Sequence, residues 1–292
     1  GKDFGLISNP EFLQESTAIR DTEFPHAVVL GGYKTKFMKN VERFFTKLHP
    51  KTPIIITNHQ TAEMIKYANN SFLATKISFI NQLSSICQKI PGANIDDIAK
   101  TIGLDPRIGK LFLNAGPGYG GSCLPKDMKA LIKFAEITGV KPTLLNAVED
   151  VNTKQLEEII SIAKKKLGIL ESKKITILGT SFKPNTDDIR DSIAIELIKK
   201  FLKRKVRVTV HDPRAIKNTK NVFKNKINYA KSISDAILGS QCVIIMTQWK
   251  QYEKLTNNDF KQMKKKLIID CRRMLAEKQL DVDYYAIGLG KK

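Results

Sequence analysis

The sequence predicts an α/β chain, and three observations carry that prediction. Four short β-rich runs between residues 173 and 273 alternate with helical segments. One apolar stripe at helical spacing extends from about Asn58 to Lys89. The first 56 residues hold short strands around one helical pattern.

The chain has 292 residues, long enough for two domains, and its 42% hydrophobic and 27% charged content is that of a globular protein. No apolar run reaches membrane-spanning length. The start, GKDFGLISNP, has neither an apolar signal core nor a small-residue cleavage site, so the expected setting is the cytoplasm. Cys87, Cys123, Cys242 and Cys271 show no paired metal spacing and read as reduced thiols; the four histidines have no ligand spacing either, and no metal is expected. The formal charge of +20 raises nucleic-acid binding as a question. The lysines are scattered, though, and no aromatic residues interleave with the runs at 164–166 and 264–266, so a solvated surface is the expectation, with no nucleic-acid or membrane partner.

Taken in order, LIS, AVVLGG and PIIIT read as strands, with VERFFTKL as the helix between the last two. The stripe of Ile65, Ala68, Phe72, Ile80, Leu83 and Ile86 then predicts one long helix, capped by Thr57 with Gln60 and ended by Pro91-Gly92. A helix of about 30 residues spans about 45 Å, enough to join two domains and to pack on a partner. A further helix over IDDIAKTIGLDPRIG follows. Next comes NAGPGYGGSCLPKD, where glycines lead to one cysteine and a helix in which Met128, Leu131, Ile132 and Ala135 mark the buried face. The glycines let the backbone wrap closely around a ligand. Cys123 stands at a helix N-terminus beside Lys126, a setting that favours thiolate, and Asp127 lies one turn on. An inert glycine-rich link with a packed cysteine remains the alternative on residue type alone. After helical patterning over 141–167, KKITILG, VRVTVHD, CVIIMTQ and LIIDCRR read as strands of a parallel, Rossmann-like doubly wound sheet. Asp212, closing the second, reads as a turn-initiating Asp-Pro in preference to a ribose ligand.

GPGYGGSCLPKD resembles the catalytic-cysteine signature of the UDP-glucose 6-dehydrogenase family, whose members oxidise an alcohol to an acid in two NAD-dependent steps. SNPEFLQES at 8–16, KYANNSFLA at 66–74 and the loop after the strand at 173–179 resemble further family elements in the same order. The resemblance implies Cys123 as nucleophile, Lys66 with Asn70 at the reacting oxygen, Asp127 at the water, and Glu11 assisting hydrolysis. It implies substrate contacts from Glu15, Gly120, Phe182, Lys183 and Arg272, with Arg107 and Phe112 at the sugar nucleotide and Arg107 serving a neighbouring subunit. Lys126 and Arg190 are the implied NAD contacts. Glu11 and Glu15 would share a face if their segment is helical. Ser16 stands where the family usually has glycine, and Pro25-His26-Ala27 where it usually has Pro-Asp-Arg, which puts a supporting ion pair in doubt.

Nothing before Ser8 supplies the strand, G-x-G-x-x-G turn and helix that hold a pyrophosphate, so the chain reads as lacking most of the NAD-binding domain. The expected division is a remnant of that domain over 1–56, a helical dimerisation and catalytic-cysteine region over 57–168, and a UDP-sugar-binding domain over 169–292. The expected partner is a second copy, as a homodimer, and the expected substrate a UDP-sugar. The expected reaction is oxidation of UDP-glucose to UDP-glucuronate, the chain being inactive by itself. The alternatives are a sister enzyme acting on GDP-mannose or a UDP-N-acetylhexosamine, or a non-catalytic dimeric nucleotide-sugar-binding module.

Overall fold

The computed structural model describes residues 3–15 and 17–291, in two compact units, residues 1–72 and 73–292. In the first unit, α1 (Ala18–Glu23) precedes a parallel pair, β1 (Val28–Gly31) and β2 (Ile54–Thr57), joined through α2 (Lys36–Leu48). The pair forms because Val28, Leu30 and Ile54 seal one apolar face against Met38 and Phe45 of α2. The strand expected at LIS reduces to a single antiparallel bridge between Ser8 and Gly31. Residues 9–14 are not helical, so Glu11 and Glu15 do not share a helical face. Ser16 lies outside the described residues.

The long helix, α3, runs from His59 to Cys87, and its cap is Asn58, whose Oδ1 accepts from the Thr61 amide at 2.8 Å, in place of the Thr57–Gln60 box. Its expected apolar stripe is corrected too. The buried side carries Ser71, Ala74, Ser78, Ile80, Asn81 and Ser84, while Phe72, Phe79 and Ile86 are 65%, 52% and 51% exposed. The reason lies in polar inner contacts: Ser78 Oγ donates to the Val148 carbonyl at 2.8 Å, and Asn81 Oδ1 accepts from the Gly116 amide at 2.7 Å. Three large apolar side chains seven residues apart are thereby left on one outer face.

In the second unit, α4 (Ile95–Ile102), α5 (Leu124–Ile137) and α6 (Thr143–Leu167) lead into six parallel strands. These are β3 (Lys174–Leu178), β4 (Arg207–His211), β5 (Asn228–Tyr229), β6 (Cys242–Ile245), β7 (Leu267–Asp270) and β8 (Asp283–Ala286), connected by α7 (Ile193–Lys203), α8 (Ile216–Phe223), α9 (Ile233–Ile237) and α10 (Asn257–Phe260). The spatial order is β5-β4-β3-β6-β7-β8, so direction of winding reverses between β3 and β6. Both faces are covered. Ile175, Ile177, Val208, Val210 and Ile244 pack under α6 and α7, while Leu178, Val243, Ile245 and Ile268 pack with α9 and α10. Among the described residues no helix is long and apolar enough to cross a membrane, and no cluster of three metal-ligating side chains occurs.

His211, at the end of β4, is buried with Nδ1 3.0 Å from the Tyr252 hydroxyl, which donates to the His211 carbonyl at 2.9 Å. Burial holds its imidazole below the ordinary value of 6.5, and the Asp212 carboxylate opposes that shift. The folded chain therefore binds this proton more weakly than the unfolded chain, so the contribution is complete above the unfolded pKa and is lost as pH falls. The expected result is a thermal midpoint that declines as pH drops through about 6.5, with a shallower decline in His211→Gln. An identical pH slope in the variant would contradict this.

Candidate active site

The reversal of winding between β3 and β6 opens a crevice beyond the strands' carboxyl ends, the usual ligand position in such sheets. Ser181 and Phe182 after β3, Met246 and Thr247 after β6, and Arg272 after β7 line it, and the glycine loop closes it with Pro117, Gly118 and Gly120. Gly120, Phe182 and Arg272, three of the residues expected to bind substrate, are thus brought to one place. Arg272 Nε donates to the Met246 carbonyl at 2.9 Å, and desolvation pulls its guanidinium pKa down to about 10. Lys183 reaches back so that Nζ lies 5.3 Å from the centre of the Phe182 ring.

The glycines also allow a close approach within the chain itself. A Cβ on Gly120 would fall 2.2 Å from the Asp191 carbonyl oxygen, and one on Gly118, whose φ is +115°, would fall 2.6 Å from Asn152 Oδ1. At these two positions the loop is pressed against its own chain. The Gly121 amide donates to the Arg190 carbonyl at 3.1 Å, and α3 and α6 hold the loop through Asn81 and Asn152.

Cys123 is exposed at the N-cap of α5, whose first turn contains Pro125, and the Asp127 amide donates to the Cys123 carbonyl at 2.9 Å. The other three cysteines are buried. Asp127 itself is buried and ion-paired with the exposed Lys126. Arg190 lies on Asp188 with Nε 2.9 Å and a terminal nitrogen 2.6 Å from Oδ2. Burial pushes the Asp188 carboxyl up, but the bonds from Arg190 prevail and hold it below the ordinary range. Arg107 is 87% exposed and paired with Asp105 at 2.6 Å, and neither it nor Phe112, which has φ +65°, is among the residues lining the crevice.

Within the first unit, Lys66 Nζ lies 3.1 Å from Glu11 Oε1 and donates to the Glu11 carbonyl at 2.5 Å. Asn70, one turn further along α3, is buried and accepts from Asn69 Nδ2 at 3.2 Å. Glu15 is half-buried. His26 packs edge-on against Phe12, with ring centres 5.1 Å apart, in the segment where the family ion pair is in doubt. The glycines at the end of β1 pack closely on their own chain: a Cβ on Gly31 would fall 2.3 Å from Ala62 Cβ, and one on Gly32 3.1 Å from the Leu6 carbonyl oxygen. The exposed side chains of Lys126 and Arg190 are cations suited to a dinucleotide's phosphates.

Asp212, read from sequence as a turn-initiating residue, and Arg273, Asn81 and Asn152, not singled out there, hold the local structure. Asp212 is filled by the protein: Oδ2 accepts from the Thr180 amide at 2.7 Å, the Ser181 amide at 3.1 Å and Trp249 Nε1 at 3.2 Å, and Oδ1 from the Arg214 and Ala215 amides at 2.9 and 2.8 Å. No oxygen of it is left for a ribose. Arg273 ties three elements, donating to Asp96 Oδ2 at 2.7 Å and to the Ala115 and Ile287 carbonyls at 3.0 Å. The available signal for Asn81 and Asn152 was their place among apolar residues on helical faces.

Residues 1–49, 60–154 and 176–277 match the NAD binding, central and UDP binding domains of the UDP-glucose/GDP-mannose dehydrogenase family. NAD-domain sequence is therefore present, which corrects the expectation of a chain lacking most of that domain. The chain is 39% identical over 290 residues to UDP-glucose 6-dehydrogenase AglM of Haloferax volcanii and 40% identical over 289 to UDP-glucose 6-dehydrogenase YwqF of Bacillus subtilis. These alignments cover 98% and 97% of this chain, which spans 66% and 64% of the two relatives. The structure of a UDP-glucose dehydrogenase from Pyrobaculum islandicum superposes with a TM-score of 0.89 at 33% identity, over 98% of this chain and 64% of that one. By its three domain matches and a likeness to these relatives that covers nearly all of its own length, the chain belongs to the UDP-glucose/GDP-mannose dehydrogenase family.

Proposed function

We propose that the protein carrying this chain oxidises UDP-glucose to UDP-glucuronate in two NAD-dependent steps, through a covalent intermediate on Cys123. The observation that carries this reading is the convergence of Gly120, Phe182 and Arg272 on the switch-point crevice, at the end of the loop that delivers the exposed Cys123. Lys126 and Arg190 would help to hold NAD, which would supply hydride acceptance, one hydride to each of two NAD molecules bound in turn. The Cys123 thiolate adds to the aldehyde carbon formed in the first oxidation, giving a thiohemiacetal whose oxidation leaves a thioester. Lys66 and Asn70 stabilise the negative oxygen, Asp127 orients or activates water, and Glu11 assists as water adds and the carbon–sulfur bond breaks. Glu15, Phe112, Lys183 and Arg272 complete the substrate contacts. The three-part division at residues 57 and 169, and a cytoplasmic setting with free thiols, belong to the same proposal.

The test is NADH production by the full-length protein supplied in turn with UDP-glucose, GDP-mannose and a UDP-N-acetylhexosamine. A preference for either of the last two would replace the substrate, and binding without NADH from any would leave a nucleotide-sugar-binding module. The 292 residues alone are proposed to bind the UDP-sugar without turnover, since the glycines at the end of β1 pack closely on their own chain. Steady NADH from them would overturn that clause.

The homodimer is part of this proposal, supported by the outer face of Phe72, Phe79 and Ile86. Phe79→Asp with Ile86→Asp is expected to give a monomer by light scattering, whereas Arg107→Ala remains dimeric and loses activity. A dimer unaffected by the two aspartates would move the interface elsewhere.

A further inference from the structure

Helix α6 grips Tyr119 at three points. Asn152 Oδ1 accepts from the Tyr119 amide at 2.7 Å, Asn152 Nδ2 donates to the Tyr119 carbonyl at 3.1 Å, and the Tyr119 hydroxyl donates to Glu149 Oε1. Burial, and then Glu149, push the phenol above its ordinary value, so it stays a donor. Among side chains only a carboxamide presents a donor and an acceptor together in this way, and both are used on one residue's backbone. The fit extends to the neighbour, because Gly118 lies so close to Asn152 Oδ1 that a Cβ would stand 2.6 Å away. Tyr119 itself lies between Gly118 and Gly120 of the crevice, four residues before Cys123.

We propose that Asn152 is a positioning residue: by fixing both backbone groups of Tyr119 it sets the register of the glycine loop, and with it the placement of Gly120 in the crevice and of Cys123 at the head of α5. The proposal rests on the reading of that crevice and thiol as the UDP-sugar site. Asn152 satisfies both backbone polar groups of the single residue between two crevice glycines.

The test compares full-length wild type with Asn152→Asp, which keeps the size and the acceptor but removes the donor to the Tyr119 carbonyl. The readouts are amide exchange over residues 118–121, UDP-glucose affinity by calorimetry, and peptide-mapped alkylation of the four cysteines. The expected result is faster exchange in the loop, affinity about tenfold weaker, the factor set by losing one buried hydrogen bond, and loss of UDP-glucose protection at Cys123 with Cys87, Cys242 and Cys271 still unreactive. Wild-type exchange and affinity in the variant would overturn the proposal. Alkylation of all four cysteines would overturn it too, since Asn152 would then be holding the fold instead of the loop. If wild type fails to bind UDP-glucose, the substrate reading fails by itself, and the loop exchange still decides the role of Asn152.

Discussion

Replacing Cys123 with serine is expected to abolish uronic acid release by the full-length protein, a fall on the order of 10⁴-fold or more, the scale on which loss of a covalent nucleophile is felt. Cys123 is exposed and the other three cysteines are buried, so no second thiol of these residues can take its place. A serine hydroxyl is nearly the same size but holds its proton at neutral pH, and a serine nucleophile works only when paired with a base. Its position is also one where serine suits a helix start, so the thermal midpoint should hold while turnover disappears. Chromatographic detection of the acid, beside a melting curve, separates the two effects. Full turnover in the variant would remove Cys123 from the mechanism.

A methyl group on Gly120 is expected to weaken UDP-glucose binding about 100-fold, the upper end of the 1–3 kcal/mol that overpacking costs. The added carbon would lie 2.2 Å from the Asp191 carbonyl oxygen and 3.2 Å from its carbon, and backbone atoms cannot swing aside as a side chain would. Either the loop or the segment before α7 must shift, and both border the crevice. Gly139→Ala is the comparison: it also meets an unfavourable φ, +79°, but has nothing within 4 Å of the new carbon. Calorimetry should find binding lost in Gly120→Ala and kept in Gly139→Ala. Equal affinities would show that the loop yields easily.

The strands of the second unit were legible because a sheet covered on both faces takes apolar residues at nearly every position, as in CVII and in ITIL, whose one hydroxyl donates to the Ala236 carbonyl. β8 was not, since DYYA mixes a charge and two tyrosines at a half-covered edge, and β5 has only two residues. Cys123 and its loop stood out through a long motif. What the glycines were for did not, because sequence marks a close approach without naming what approaches. Asn152, Asn81 and Arg273 were hidden for a related reason: a polar residue's value here depends on backbone groups far away in sequence. The outward turn of Phe72, Phe79 and Ile86 was invisible because it follows from the inner contacts that Ser78 and Asn81 make with residues distant in sequence.

The boundary between the two units falls at Phe72 and Leu73, in the middle of α3, which continues without a break from His59 to Cys87. Domains are usually joined by exposed linkers, and proteases cut there because such segments already lie extended. Here the junction offers no such segment. To present the trypsin sites at Lys66 and Lys76, several helical turns would have to unwind at once. Limited digestion should therefore cut the turns around Lys110, inside the second unit, while α3 stays whole from His59 to Cys87, and mass mapping would read this directly. Early cleavage at Lys66 or Lys76 would mean that the helix opens locally at the boundary.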